Sequence, residues 1–335
     1  MSEKVEKKRL AILKILHQDN RAHGSQELTA RLLAAGHELS ERTVRFHLQA
    51  LDADGLTENL GKQGRRITET GARELSSARA FEKVGYLAAK IDQLTYNMDF
   101  DLERREGTVV VNVSLLEREQ LPEALPKMAR VFAAKLGVGR LAALFGPGER
   151  VGDVAVPEGK VGVGTVCSIT FNGVLLRHGI PVSSRFGGLL ELRALKPTRF
   201  VELIHYEGTT LDPLEVFIRS GMTDYKGAVE TGNGLVGASF REVPGNSRER
   251  ILGLARGMEE AGLGVVIDVG WPGRPLFDIP VSEGRLGVVV MGGLNPVAIL
   301  EETGMRVRQT GALAGLLDYR KLIPYEQMAE RAAHV

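Results

Sequence analysis

The last two thirds of this 335-residue chain align with themselves, and this internal repeat constrains the fold more than any other feature. Gly146-Pro147-Gly148 in the first copy corresponds to Trp271-Pro272-Gly273 in the second, at an offset of 125 residues. Asn112-Val113-Ser114 aligns with Gly237-Ala238-Ser239 at the same offset. The sequence therefore predicts two homologous domains in tandem, packed about a pseudo-twofold axis.

Each copy has the pattern of a small domain that mixes helices and strands. A strand, a helix, a second strand, a Pro-Gly turn and a third strand lead into a short helix. The predicted first strands are 108–114 and 235–240, the first helices 121–136 and 247–261, and the second strands 140–145 and 264–269. We expect an α/β or α+β fold in both copies.

The first 75 residues predict three short helices around a small core. Apolar residues recur at helical spacing between residues 4 and 18. Ser25 is a candidate N-cap for a second helix that Gly36 would end, and Ser40 is a candidate N-cap for a third helix that Gly55 would end. The connections are short, as in a helix-turn-helix unit.

The third helix has two different faces. Val44, Leu48 and Leu51 fall on the side that would pack in the core. The candidate DNA-contacting residues of this helix, with Thr43 at the edge of the face, are Arg42, Thr43, Arg45, Phe46 and Gln49. Arginine bonds guanine edges, glutamine bonds adenine, and apolar groups contact thymine methyls, so this face suits the major groove. The alternative is a solvated helix face with no partner.

A basic hairpin follows the third helix. Residues 56–60 and 65–68 are predicted strands on either side of a turn that begins and ends with glycine. Lys62, Arg65 and Arg66 would reach phosphates or the minor groove. The combination predicts an N-terminal winged helix-turn-helix.

Charge supports DNA binding only weakly. The whole chain carries a net charge of +1. Residues 1–80 hold 14 Lys and Arg against 11 Asp and Glu, a net +3, so the remaining 29 against 31 give −2. No apolar run is long enough for a membrane span, no signal peptide is visible, and the single cysteine excludes an intrachain disulfide. We expect a cytoplasmic protein with no cofactor and no metal.

The segment between the two regions has the spacing of a helix, with apolar positions from Phe81 and Val84 to Leu94. It would either pair with its copy in a homodimer or dock on the next domain. The predicted boundaries are a winged helix at 1–76, a helical connector at 77–104, repeat 1 at 105–206, a connection at 207–231 and repeat 2 at 232–325.

Each repeat also has a candidate anion site where its third strand runs through a tight turn into a helix. Asn172 and Asn295 are predicted N-caps, and a helix N-terminus with free N–H groups suits a carboxylate or phosphate. The candidate effector-binding residues, with Arg185 as the counter-charge to an anion, are Cys167, Ser168, Thr170, Asn172, Arg185 and Asn295. The alternatives are turns that only shape the scaffold and, for Cys167, a buried structural thiol rather than a nucleophile.

These residues together resemble the NrpR family of nitrogen regulators. The resemblance rests on the winged helix and on matching stretches along the chain at 112–114, 170–176, 179–182, 184–188, 212–217, 239–244 and 293–298. It implies a homodimeric repressor that binds palindromic double-stranded DNA operators of nitrogen-assimilation genes and releases them when 2-oxoglutarate rises. The resemblance does not place the family's effector residues on particular positions here.

Two other functions are compatible with parts of the pattern. An enzyme acting on a small carboxylate would need an acid, base or metal set that the sequence does not display, so no catalytic residue is assigned. A winged helix can also contact RNA or protein. A preference for palindromic duplex over RNA would separate the latter from a DNA-binding regulator.

Overall fold

A computed structural model describes residues 3–19, 21–82, 85–307 and 309–333, which fall in two compact units, Met1–Val84 and Gly85–Val335. The first unit is the predicted winged helix. Its elements are α1 (Glu3–Asp19), α2 (Ser25–Ala34), α3 (Glu41–Ala53), β1 (Thr57–Asn59), β2 (Arg65–Ile67) and α4 (Glu69–Glu82). No helix in the described ranges combines the length and apolarity needed to cross a bilayer.

The core of the first unit is formed by the apolar faces of its helices. Leu28, Leu32, Val44, Leu48 and Leu51 are completely buried there. Burial of a side chain of this size contributes about 1.5–3 kcal/mol, so the small core depends on each of them. The predicted inner face of α3 is confirmed.

Local capping explains where these helices end. Gly36 and Gly55 adopt left-handed conformations with φ of 81° and 72°, as predicted. The Thr43 N–H donates to Ser40 Oγ at 3.2 Å, which confirms the predicted cap of α3. The predicted cap of α2 is wrong, because Gly24 holds the N-cap position and Ser25 is the first helical residue.

The predicted connector is divided between the two units. Helix α4 runs through residue 76, so the predicted boundary lies inside a helix. The Phe81 side chain and Val84 lie outside the described part of the chain. In the second unit, Leu87 and Ile91 on α5 (Tyr86–Asn97) are buried in its core. This part of the segment therefore docks on the domain that follows it.

The second unit contains all of the remaining elements. Its helices are α5, α6 (Leu121–Ala133), α7 (Ile169–Arg177), α8 (Pro213–Arg219), α9 (Tyr225–Thr231), α10 (Arg248–Glu260), α11 (Asn295–Glu302) and α12 (Met328–Ala332). Its strands are β3 (Thr108–Glu117), β4 (Leu141–Phe145), β5 (Arg150–Val151), β6 (Val154–Ala155), β7 (Lys160–Val166), β8 (Ser183–Arg193), β9 (Lys196–His205), β10 (Gly234–Pro244), β11 (Val266–Val269), β12 (Arg285–Met291), β13 (Gln309–Asp318) and β14 (Ile323–Pro324).

Ten of these strands form two five-stranded sheets, and β5 pairs with β6 in a separate hairpin. Every described pairing is antiparallel, so the unit is α+β. One sheet has the order β13-β3-β7-β4-β14, and the other has the order β11-β12-β10-β8-β9. The first strand, first helix and second strand predicted for each copy are confirmed, with ends shifted by a few residues.

The two copies exchange strands with each other. Strand β8 follows α7 in the first copy but pairs with β10 of the second, and β13 follows α11 in the second copy but pairs with β3 of the first. Helices cross over in the same way, since α6 packs against α11 and α7 packs against α10. The predicted segments 105–206 and 232–325 therefore do not form separate sheets.

The strand pairings also correct the alignment of the copies. Thr165 of β7 and Val290 of β12 are equivalent positions in the two copies. Asn112 pairs with Thr165, and Ser239 pairs with Val290, so Asn112 and Ser239 are equivalent at an offset of 127. The predicted match of Asn112 with Gly237 is therefore wrong by two residues.

The offset between the two copies is 125 in the short helices α7 and α11. These helices are followed by left-handed glycines, Gly179 and Gly304, which are 125 residues apart. Asn295 consequently corresponds to Thr170, and Asn172 corresponds to Val297. The predicted equivalence of the two asparagines is wrong for this reason.

Gly293 permits a close approach between the copies. A Cβ added there would lie 2.5 Å from both Val166 O and Asn112 Nδ2, and 2.9 Å from Cys167 Cα. Forcing a methyl group into such a contact costs about 1–3 kcal/mol. Gly293→Ala should therefore lower the midpoint of thermal or urea unfolding. Gly208→Ala is the control, because nothing lies within 4 Å of its added Cβ. Equal stability of the two variants would contradict the close contact.

Candidate nucleic-acid interface and candidate effector pocket

The outer face of α3 presents the predicted DNA-contacting residues. Arg42, Arg45, Phe46 and Gln49 are all exposed, and Phe46 retains 66% of its accessible surface. This ring adds an apolar element to a face that is otherwise polar and basic. Thr43 lies at the edge, where its hydroxyl is 2.8 Å from Ser40 Oγ.

Arg45 is held by two neighbours in this structure. Its Nη2 donates to Glu41 Oε1 at 2.6 Å, and its Nε donates to Ser25 Oγ at 3.1 Å. Ser25 Oγ in turn donates to Glu41 Oε1 at 2.8 Å. These hydrogen bonds hold the pKa of Glu41 below its usual value, with Ser25 the largest cause and Arg45 the next. Sequence reasoning did not assign Glu41 a role at this surface.

The wing divides its basic residues between two roles. Lys62 and Arg66 are exposed, and Arg66 lies against Glu58 with Nε 2.8 Å from the carboxylate. Arg65 points inward, because its Nε donates to Asp52 Oδ2 at 2.7 Å. Its main chain also exchanges two hydrogen bonds with His23, which closes the wing onto the segment before α2. Arg65 therefore holds the wing in place, and Lys62 and Arg66 form its accessible basic edge.

In the second unit, the predicted cap residues have other roles. Helix α7 begins at Ile169 and α11 at Asn295, so neither Asn172 nor Asn295 is an N-cap. Thr170 Oγ1 lies 3.1 Å from both the N and the O of Val110, at the end of β3. In the second copy, Asn295 Nδ2 donates to Gly237 O on β10 at 2.9 Å. Thr170 and Asn295 thus fasten each short helix to a strand.

Arg241 is the residue that sequence reasoning missed. It lies on β10, is completely buried, and donates from Nε to Asn172 Oδ1 at 2.6 Å. Its Nη1 donates to Ser239 Oγ at 2.8 Å, and its Nη2 donates to Ser168 Oγ at 3.1 Å. All three acceptors are neutral oxygens, so these bonds leave the guanidinium charge without a counter-ion. Burial lowers the pKa of Arg241 for this reason.

The predicted counter-charge, Arg185, lies elsewhere. Its side chain is 44% exposed, and Nη1 is 3.5 Å from Glu242 Oε2. Arg185 lies at the exposed start of β8, whereas Arg241 lies in a continuous run of buried residues in β10. Sequence alone does not show which of the two arginines is enclosed. The signal that was available is a charged pair, Arg241-Glu242, in the middle of an otherwise apolar strand.

A small cavity lies beside this cluster, between the turns that precede α7 and α11. Its volume is about 20 Å³, and Ser168, Cys167, Tyr206, Asp212 and Gly293 contribute to its wall. Burial raises the pKa of Asp212 to about 6 and that of Cys167 to about 12. The buried thiol is therefore protonated at neutral pH, in agreement with a structural cysteine rather than a nucleophile.

Leu313 forms part of the same wall in an unusual backbone conformation. Its φ is 52°, in the left-handed region, within the irregular part of β13. The Leu313 N–H donates to Asn112 Oδ1 at 3.1 Å, which supports this conformation across the strand exchange. Such conformations cost about 1–3 kcal/mol and persist where surrounding contacts hold them. The cavity wall therefore contains a strained residue that is held by a contact between the two copies.

Fold and geometry thus define a winged-helix protein whose second unit is a duplicated, strand-exchanged α+β structure with a buried arginine cluster. Residues 84–323 match the family model described as NrpR regulatory domains NRD1 and 2, and residues 10–75 match the Ribonuclease R winged-helix domain. The chain belongs to the NrpR family.

Curated relatives and a solved structure agree with this assignment. The chain is 31% identical to the Global nitrogen regulator NrpRI of Methanosarcina mazei, over 96% of this chain and 99% of the relative. It is also 31% identical to the Global nitrogen regulator NrpR of Methanococcus maripaludis, over 88% of this chain but 51% of that longer protein. A crystal structure of a nitrogen repressor-like protein from Methanococcus jannaschii matches with a TM-score of 0.60 and 26% identity, over 71% of this chain and 97% of that one.

Proposed function

We propose that this chain is a homodimeric transcriptional repressor of nitrogen-assimilation genes. The observation that carries the DNA-binding part is the face of α3, where two arginines, a glutamine and a 66%-exposed phenylalanine stand together on a capped helix. Such a helix places base-reading side chains in the major groove, while the exposed basic edge of the wing contacts phosphates. One winged helix reads a half-site, so a dimer would read a palindrome.

We further propose that a small dicarboxylate, 2-oxoglutarate being the first candidate, binds at the Arg241 cluster. A buried guanidinium without a carboxylate partner favours an anion, and the hydroxyls of Ser168 and Ser239 add donors nearby. A cavity of about 20 Å³ has room for about one water molecule, so the ligand requires the cavity to open. That opening would favour a dimer geometry in which the recognition helices no longer match the half-sites.

The site should exist once per chain, despite the duplication. Its arginine comes from β10 of the second copy and two of its partners from the start of α7 in the first copy. In the other half, Ser114 takes the position of Arg241. Val297 takes the position of Asn172, and Gly293 takes that of Ser168. None of Ser114, Val297 and Gly293 carries a positive charge, so these positions would not hold a carboxylate.

Two measurements on the full chain test this function. Selection from a randomised duplex pool should enrich a palindrome, and the selected duplex should bind far more tightly than RNA of the same length. Calorimetry with 2-oxoglutarate should give one molecule per chain, and the ligand should release the selected duplex. Failure to enrich any sequence would remove the DNA-binding proposal. Flat titrations with 2-oxoglutarate and related dicarboxylates would remove the effector proposal alone.

Asp212 predicts the direction of a pH dependence at the effector site. With a pKa raised by burial to about 6, this carboxyl is ionised at higher pH and protonated at lower pH. An ionised Asp212 repels a carboxylate ligand, so 2-oxoglutarate should bind more tightly as the pH falls through 6. The change should be about 10-fold if the ligand raises the pKa of Asp212 by about one further unit. Calorimetric titrations on either side of the pKa measure it.

The matched variant is Asp212→Asn. Asp212 Oδ1 accepts from the N–H groups of Leu214 and Glu215 at the start of α8, and an asparagine oxygen can do the same. The variant should therefore fold normally and show a flatter pH profile. A profile as steep as that of the unmodified chain would assign the pH dependence to another group.

A further inference from the structure

Arg45 and Arg42 share the outer face of α3 but differ in their surroundings. Arg42 makes no described hydrogen bond or ion pair, whereas Arg45 is held from two sides. The bonds to Ser25 and Glu41 occupy Nε and Nη2, which form one edge of the guanidinium. The other edge, at the Nη1 end, has no described partner. A guanine accepts two parallel hydrogen bonds from such an edge.

We propose that Glu41 is a positioning residue for base recognition, which together with Ser25 orients Arg45 so that its free guanidinium edge faces a guanine. The inference rests on the proposed DNA-binding function. Ser25 is the first residue of α2 and Glu41 the first residue of α3, so the contact also ties the recognition helix to the helix before it.

The physical advantage is that Arg45 is ordered before DNA arrives. A long side chain that becomes fixed at an interface loses rotamer freedom, which weakens binding about 2- to 10-fold for each such side chain. Because Glu41 and Ser25 already hold the Arg45 side chain, most of this rotamer freedom is lost before Arg45 contacts the correct base. Glu41 also brings a negative charge close to the DNA backbone, which weakens binding to every sequence equally. Its expected net effect is a higher ratio of specific to non-specific affinity.

The test measures this ratio by fluorescence anisotropy, using the duplex that the full chain selects from a randomised pool and a scrambled duplex of the same composition. Glu41→Gln should lower the ratio about 3- to 10-fold while binding to the scrambled duplex stays equal or strengthens. Glu41→Asp keeps the charge but shortens the side chain, so it should lower the ratio too. Ser25→Ala should have a smaller effect in the same direction.

Glu58→Gln is the matched control, because Glu58 also faces an exposed arginine, Arg66, but in the wing. It should leave the ratio unchanged. In an Arg45→Ala background, Glu41→Gln should have no effect on the ratio, since the proposed role acts through Arg45.

The outcomes separate the inference from the function on which it rests. If the unmodified chain selects a sequence and Glu41→Gln keeps its ratio or raises it, the positioning role is wrong and the DNA-binding function stands. If Glu41→Gln lowers the ratio equally with and without Arg45, Glu41 acts through the helix itself and the inference is also wrong. If the unmodified chain selects no sequence, both are overturned. Thermal melting of each variant checks that the winged helix remains folded.

Discussion

Replacing Arg45 with alanine should strongly reduce, but not abolish, the preference of this protein for its selected DNA sequence, without unfolding it. A bidentate arginine-guanine contact contributes about 1–3 kcal/mol of discrimination, and a dimer on a palindrome would lose it in both half-sites. The Arg45 side chain is 64% exposed, so its truncation removes little packing. Anisotropy with selected and scrambled duplexes measures the preference, and thermal melting measures the fold.

The matched control is Arg21→Ala. Arg21 is 59% exposed in the same unit, and it forms an ion pair with Glu27 of α2 rather than with a residue of α3. Its loss should weaken binding to both duplexes slightly and equally, because it changes only the general charge. Arg45→Ala should also leave the 2-oxoglutarate response of the second unit intact. An unchanged sequence preference in Arg45→Ala would place base recognition on another surface.

Replacing Arg241 with methionine should abolish the response to 2-oxoglutarate and leave the unliganded protein as stable as before, or more stable. Removing this positive charge should cost the ligand at least about 10-fold in affinity, since a charged hydrogen bond is worth about 1.5–3 kcal/mol. A buried arginine with neutral partners carries a desolvation penalty of several kcal/mol, which methionine of similar length avoids. This gain offsets the cost of about 1–3 kcal/mol for each buried acceptor that loses its donor. Thermal shift with and without ligand measures both effects.

Arg185→Met is the comparison that separates two interpretations of the site. The sequence pattern favours Arg185 as the counter-charge, whereas the structure places Arg241 in the cluster and Arg185 at 44% exposure. Arg185→Met should therefore respond to 2-oxoglutarate almost as the unmodified chain does. A response lost in Arg185→Met and kept in Arg241→Met would restore the prediction from sequence. Collapse of the unliganded Arg241→Met protein would instead give Arg241 a structural role.

Much of the first unit could be predicted because its signals are local. The capping of α3 by Ser40, the left-handed Gly36 and Gly55, and the division of α3 into two faces each depend on residues within a few positions of one another. Ser25 shows the limit of such reasoning. A serine before an apolar helical pattern predicts a cap, yet its hydroxyl is committed to Glu41 and Arg45, across the joint between two helices.

The duplication itself was determined by the sequence, because repeated motifs need no knowledge of contacts. Which copy each strand joins was decided only by the tertiary structure. Strands β8 and β13 have patterns that suit either sheet, and the choice depends on pairings between residues up to about two hundred positions apart. The cluster around Arg241 has the same origin, since its arginine and two of its partners come from different copies.

The sequence by itself therefore determined the winged helix, the exposed outer face of α3, the internal repeat and the family. Only the tertiary structure decided that the repeats exchange strands, that Arg241 rather than Arg185 is enclosed, and that Arg65 supports the wing from within. The physical reason is the range of the interactions. Hydrophobic periodicity and capping act along the chain, whereas burial of a charge depends on every element that surrounds it.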